Sequence, residues 1–131
     1  LGLAMGAKLA APQKHVIHFM GDLAFGMVGM DIETAVREQI PVTTVVMNNS
    51  TMAIYPDSRM PVSVEKYRMK QLSGNFSELA HALGAYTERI TDPQEIGPAI
   101  KRAEERNRSG QTALLEFITK EENTFSKFQF A

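Results

Sequence analysis

The sequence predicts a three-layer α/β domain with a mainly parallel, doubly wound sheet. Two short runs, 15–20 and 42–47, are apolar and rich in β-branched residues, which is typical of strands covered on both faces. The segment 26–39 between them carries apolar residues at spacings of three and four, which predicts a helix that Pro41 ends. A strand, a helix and a strand in this order return the chain parallel to its start.

Polar residues follow both strands at the point where each one ends. Gly21 and Asp22 come after the first run, and Asn48 and Asn49 come after the second. Both pairs are expected at the carboxyl edge of the sheet, where open α/β sheets bind ligands. The helix that follows is expected to open near Ala24, and its free N–H groups favour an anion. Mg²⁺ is usually held by one or two carboxylates together with substrate phosphates, so this edge predicts a magnesium diphosphate site.

The remaining elements follow from local signals of helix capping and apolar spacing. The stretch 50–72 has no strand pattern and contains Pro56 and Pro61, so it is expected to be a loop with a short helical piece. It either shapes a substrate pocket or connects elements through solvent. We then expect a helix over 76–83, with Asn75 or Ser77 as its cap and Gly84 as its end. The residues of this helix that are expected to face the core are Phe76, Leu79, Ala80 and Leu83. We expect a strand over 85–90 next, then a helix from Pro93 to about Arg108 with Asp92 as its cap, and finally a strand over 112–119.

The motif Gly21-Asp22-Leu23-Ala24-Phe25, its spacing to Asn49 and the Asn48-Asn49 pair resemble the thiamine diphosphate motif of the acetolactate synthase and pyruvate decarboxylase superfamily. Flanking segments resemble the same superfamily, so that the likeness covers nearly the whole chain. These segments are 1–10, 34–37, 40–42, 75–80, 84–85 and 113–117.

The resemblance implies a role for each matching position. It places the metal ligands at Asp22, at the side chain of Asn49 and at the main-chain oxygen of Thr51. The family most often has glycine where this chain has Leu23. The cofactor-binding positions that the resemblance implies are Gly21, Asp22, Leu23, Ala24, Asn49, Thr51, Met52, Ala53 and Ile54.

The resemblance also implies a function that this chain shares with other domains. The chain is expected to anchor thiamine diphosphate through Mg²⁺ in an acetolactate synthase-like decarboxylase or carboligase, a lyase or transferase, acting on a 2-oxo acid. The family's proton-relay glutamate and pyrimidine-binding groups lie on a domain of a second subunit, so no catalytic residue is expected in residues 1–131. We expect one domain, forming the C-terminal part of a longer chain that assembles as a homodimer or homotetramer, and we expect the isolated chain to be inactive.

Two other functions compete with this interpretation. The first is a non-catalytic domain or subunit that keeps the fold for assembly. The second is a flavodoxin-like phosphate or flavin binder, which shares the sheet edge but does not explain Asn48 and Asn49.

The composition limits which binding partners and which cellular location are expected. A net charge of -1 and a pI near 6.3 give no general attraction for nucleic acid or anionic lipid. No apolar run approaches the length of a membrane span, so no membrane partner is expected. The absence of cysteine excludes disulfides and thiolate sites within the chain, and a cytoplasmic location fits.

Histidine, methionine and phenylalanine residues could suggest further binding sites, but structural roles are expected for most of them. His15 and His18 would point to opposite faces of a strand, which makes them a poor metal pair. Met52 is expected against the cofactor, whereas most methionines are expected to fill the core. Phe125, Phe128 and Phe130 need an apolar cover, either on this domain, over the cofactor mouth or against a partner subunit. The methionines near the expected site are Met20, Met27, Met30, Met47 and Met52.

Overall fold

The computed structural model describes residues 1–53 and 55–122 and confirms the expected α/β class. In this part of the chain the strands form one parallel sheet in the order β1-β2-β4-β3. The strands are β1 Ile17–Gly21, β2 Thr43–Asn48, β3 Tyr86–Ile90 and β4 Ala113–Ile118. The helices are α1 Gly2–Ala10, α2 Asp22–Val28, α3 Asp31–Arg37, α4 Pro61–Tyr67, α5 Phe76–Ala82 and α6 Ile96–Arg108, with 3-10 turns at Asp57–Arg59 and Pro93–Glu95.

Helices cover the sheet on two sides and complete the three layers. Helix α6 packs over β4, β3 and β2, where the small residues Ala99 and Ala103 let it approach Val45 and Leu115 closely. On the other face, Phe25 and Ile32 pack against Val46 and Leu114. Helix α1 adds Ala4 to a third buried cluster with Ala35, Ile40 and Val42. Both layers bring apolar surface onto the same strands, which fixes the sheet between them.

The single helix expected over 26–39 is wrong, because the chain forms two helices that meet at Gly29. A Cβ atom on Gly29 would lie 2.7 Å from the ring of Phe25, so only glycine fits this close approach. The Phe25 ring is buried and meets the ring of Phe76 edge to face, with centroids 5.4 Å apart. Helix α2 also begins at Asp22 and not near Ala24. The apolar spacing runs on through the break, so periodicity alone does not show it.

The expectation that both early strands are covered on two faces holds for β2 and is wrong for β1. Ile17 and Phe19 on β1 are 37% and 60% exposed, whereas Val45 and Val46 on β2 are fully buried. Strand β1 pairs with β2 alone in the sheet, at its edge. An apolar run has the same sequence whether or not another layer covers it, and only the packing separates the two cases.

Two further burial expectations are corrected by exposed side chains. Leu79 was expected in the core and is 43% exposed, whereas its neighbour Ala80 on α5 is fully buried. Met27, Met30 and Met47 are also exposed, so they do not fill the core. Helix propensity and apolar character are local properties, whereas the side that meets the sheet is fixed by the orientation of the whole helix.

The capping expectations are confirmed with small differences. The side chain of Asn75 caps α5 by accepting from the Glu78 backbone N–H at 3.1 Å, and Gly84 ends it with a φ of +94°. Asp92 accepts from the Gln94 N–H at 2.9 Å, and the first turn after it is a 3-10 turn that leads into α6.

Among the described residues, no helix is both long enough and apolar enough to span a bilayer. The expectation for Phe125, Phe128 and Phe130 lies outside the described residues.

Candidate functional site

Asp22 joins the ends of β1 and β2 at the carboxyl edge of the sheet. It is the first residue of α2 and is only 3% exposed. Its Oδ1 accepts from the Leu23 backbone N–H and its Oδ2 from the Ser50 backbone N–H, both at 2.7 Å. The register pairs Gly21 with Met47, so the two strands end side by side. The carboxylate is therefore hydrogen-bonded to the turn that contains Asn49 and Thr51.

The turn after β2 is held in an uncommon conformation at Ser50. Its φ is +59°, in the left-handed region that costs free energy for residues other than glycine. Asn48 Oδ1 accepts from the Ser50 N–H at 2.9 Å and from the Ser50 hydroxyl at 3.1 Å. With the bond from Ser50 N–H to Asp22, these contacts stabilise the turn in this form.

Asn49 and Thr51 lie on either side of Ser50 in the same turn. Asn49 Oδ1 accepts from the Thr51 backbone N–H at 3.0 Å. Thr51 lies opposite Gln71 in an isolated antiparallel bridge, whose hydrogen bonds are made by the residues before and after Thr51. The bonds run from Met52 N to Lys70 O at 2.9 Å and from Leu72 N to Ser50 O at 3.0 Å. The bridge therefore does not use the carbonyl of Thr51.

The structure shows how the departure at Leu23 is accommodated. Leu23 and Ala24 lie in the first turn of α2, where the backbone is helical and glycine's conformational freedom is not required. The N–H of Leu23 is already bonded to Asp22. Gly21 is extended, with a φ of −78°, and no atom outside its immediate neighbours would contact an added Cβ.

The other expected cofactor positions follow the turn. Met52 and Ala53 are half-buried beyond Thr51, and Ile54 lies outside the described residues. Their contacts with a cofactor stay predictions. The loop with a short helical piece is confirmed by α4 and the preceding 3-10 turn. A cavity of about 180 Å³ lies beside Thr51 in this loop, where Lys70 pairs with Asp57 at 2.8 Å.

Sequence reasoning missed a buried polar network behind the turn. Glu116 on β4 is fully buried, and its two oxygens accept from Asn48 Nδ2 at 2.6 Å and from the Ser77 backbone N–H at 2.9 Å. One signal was present in the sequence: Glu116 is the charged residue in the otherwise apolar run Ala113–Ile118. A charged side chain inside a buried strand requires a buried partner.

The candidate oxygens fit a hard divalent cation. Asp22 offers a carboxylate, Asn49 an amide oxygen and Thr51 a backbone carbonyl, and Mg²⁺ prefers oxygen ligands of these kinds. Each carboxylate oxygen of Asp22 accepts one backbone hydrogen bond and retains a further lone pair. Among the described residues no group of three or more His, Cys, Asp or Glu side chains is arranged to hold a metal.

The two neighbouring histidines have separate surroundings. His15 Nε2 lies 2.9 Å from the hydroxyl of Thr43, and burial lowers the pKa of His15 from its ordinary value of 6.5. His18 is partly buried on β1, and burial lowers its pKa as well.

One family model and several known proteins are similar to this chain. The family model for "Thiamine pyrophosphate enzyme, C-terminal TPP binding domain" matches residues 1–117. A sulfoacetaldehyde acetyltransferase of Alcaligenes xylosoxydans is 34% identical over 116 residues, covering 87% of this chain and 19% of that protein. A probable acetolactate synthase of Mycobacterium bovis is 33% identical over 129 residues, covering 90% of this chain and 21% of that protein.

A solved structure shares the fold. The thiamine diphosphate-dependent 4-hydroxybenzoylformate decarboxylase of Rhodococcus jostii superposes with a TM-score of 0.74 at 23% identity, covering 95% of this chain and 23% of that one. The chain thus spans about a fifth of the length of the curated relatives it matches.

Proposed function

The chain belongs to the family of C-terminal TPP-binding domains of thiamine pyrophosphate enzymes, and on this premise we propose that it holds the diphosphate of the cofactor through Mg²⁺. The proposed ligands are the Asp22 carboxylate, the Asn49 amide oxygen and the Thr51 main-chain oxygen. The remaining positions around the ion belong to phosphate oxygens and water.

One observation carries this proposal: the Ser50 N–H donates to Asp22 Oδ2 at 2.7 Å. This bond holds the turn that contains Asn49 and Thr51 against the carboxylate that ends the neighbouring strand. A cation that bridges two strand ends binds more tightly when both are fixed beforehand, because ordering a loose turn on binding would cost affinity.

We further propose that the whole protein is an acetolactate synthase-like enzyme acting on a 2-oxo acid. Support comes from the similarity to a probable acetolactate synthase and to an acetyltransferase. Bound thiamine diphosphate supplies an electron sink for cleavage and formation of bonds next to a carbonyl carbon. In this proposal residues 1–131 form one domain that binds and orients, and a pyrimidine-binding domain of a second subunit completes the site. A homodimer or homotetramer and a cytoplasmic location stay predictions.

Calorimetry with thiamine diphosphate tests the anchoring role. The full-length protein that carries this chain is titrated with cofactor in Mg²⁺ and again in a chelator. We expect binding heat that requires Mg²⁺ and that Asp22→Ala abolishes. Lys101→Ala is a matched control, because Lys101 is exposed on α6, on the other face of the sheet. Absence of heat in the wild-type protein would favour an assembly role.

The expected inactivity of the isolated chain has its own test. With thiamine diphosphate and Mg²⁺ added, the isolated 131-residue chain is expected to give no turnover of a 2-oxo acid such as pyruvate. Turnover by the isolated chain would show that the proton-transfer groups lie within it.

A further inference from the structure

Glu116 is a fully buried carboxylate whose neighbours are supplied by three different elements. Asn48 at the end of β2 donates to Oε1, and the Ser77 N–H in the first turn of α5 donates to Oε2. The guanidinium of Arg89 lies 4.0 Å from Oε2. Taking a carboxylate out of water is costly unless its contacts offset the loss of hydration. An apolar residue would fill a strand position with less cost, so the carboxylate is expected to have a specific task.

The contacts of Asn48 indicate what Glu116 does at this position. A backbone N–H always donates, so the Asn48 atom facing the Ser50 N–H must be the oxygen. The Asn48 amide nitrogen then faces Glu116, at 2.6 Å from Oε1. Rotating the amide by half a turn would set its NH₂ group against the Ser50 N–H and its oxygen against the carboxylate. Glu116 therefore fixes the orientation in which Asn48 stabilises the turn.

We propose that Glu116 is a positioning residue for the magnesium diphosphate site, acting through Asn48. It does not contact the ion. It holds Asn48, Asn48 holds Ser50 in its left-handed conformation, and Ser50 then donates to Asp22. This inference rests on the proposed function, since it concerns how the same turn is made ready for the cation.

An exchange of amide and carboxylate between positions 48 and 116 tests this chain of contacts. Asn48→Asp places two carboxylates face to face. Glu116→Gln places one side-chain amide between two N–H donors, the Asn48 side chain and the Ser77 backbone. Because the amide has one oxygen, its NH₂ group must face one of these donors without forming a hydrogen bond. The double variant restores the hydrogen bonds, though not the ion pair with Arg89: the new Gln donates to the new Asp and accepts from the Ser77 N–H, while the Asp still accepts from the Ser50 N–H.

The measured quantity is the Mg²⁺-dependent affinity for thiamine diphosphate of the full-length protein, at a temperature where each variant is folded. Each single variant is expected to bind about tenfold more weakly or worse, and the double variant to return to within about threefold of wild type. Ala99→Gly is the control for lost stability, because glycine weakens α6, which packs on the other face of the sheet. It should leave the affinity unchanged. If the single variants do not fold, Asn48→Ala replaces them, because it removes the link without opposing like groups.

Hydrogen exchange of the Ser50 amide gives a second readout that needs no cofactor. Protection of this amide should fall in both single variants and return in the double variant. Wild-type affinity in both single variants, or a double variant no better than either, would overturn the positioning role and leave the proposed function intact. A wild-type protein that does not bind thiamine diphosphate with Mg²⁺ would overturn both.

Discussion

Replacing Asn107 with alanine is expected to lower the free energy of unfolding by about 2–3 kcal/mol. Asn107 lies near the end of α6 and is 4% exposed, at the amino edge of the sheet and thus opposite the candidate site. Its Oδ1 accepts from the Thr43 hydroxyl at 2.9 Å, and its Nδ2 donates to the carbonyl oxygens of Gln111 at 2.9 Å and Val42 at 3.3 Å. One side chain therefore ties α6 to β2 and to the loop before β4.

The magnitude follows from the separate contacts. The two bonds of 2.9 Å contribute about 1 kcal/mol each, as typical buried hydrogen bonds do. The longer bond adds little, because the Val42 carbonyl also accepts from the Ala113 N–H at 2.9 Å. The space left by the shortened side chain supplies the rest. The Thr43 hydroxyl keeps His15 as a neighbour, which limits the loss.

Urea unfolding followed by circular dichroism measures the effect. Lys101→Ala on the exposed side of the same helix should stay within about 0.5 kcal/mol of wild type. Asn107→Asp should destabilise at least as much as Asn107→Ala, because a carboxylate oxygen would then face two carbonyl oxygens. Wild-type stability of Asn107→Ala would refute the assignment of these bonds. The cofactor affinity of the folded variant should be unchanged, since the two edges of the sheet have separate roles.

Two more predictions concern the packing of α2 and the pH dependence of stability. Gly29→Ala should destabilise by about 1–3 kcal/mol in urea unfolding, because its methyl group would overlap the buried ring of Phe25; wild-type stability would show that the ring moves aside freely. Arg102 bonds to both oxygens of Glu88, at 3.0 and 2.6 Å, and these bonds hold the pKa of Glu88 below its ordinary 4.5. The pair therefore stabilises the fold above pH 4.5, and this contribution is lost as the pH falls through the lowered pKa. Arg102→Gln should be less stable than wild type at neutral pH, with a difference that shrinks in acid; a difference that is constant with pH would contradict the pairing.

The parts of the fold that sequence predicted are those fixed by neighbouring residues. The cap of α5 at Asn75 and the end of that helix at Gly84 depend on a few adjacent backbone groups, so the residue types suffice to predict them. The two strand ends at Asp22 and Asn49 were predicted because a parallel crossover brings both to one edge whatever the details of packing.

The parts that sequence did not predict depend on contacts between distant residues. Gly29 lies against the Phe25 ring, which is itself buried against the distant Phe76, and Phe19 is exposed on β1, which is an edge strand of the sheet. The network of Glu116 joins residues 68 positions apart along the chain, and no local pattern pairs it with Asn48. Its charge in an apolar strand indicates a buried partner without identifying it.

A crystal structure of the full-length protein with thiamine diphosphate and Mg²⁺ tests the central claim most directly. We expect one Mg²⁺ ion with oxygen atoms of Asp22, Asn49 and Thr51 at about 2.0–2.1 Å, and diphosphate oxygens and water completing an octahedron. An ion bound to the diphosphate without the Asp22 carboxylate, or a diphosphate bound away from the turn after β2, would contradict it.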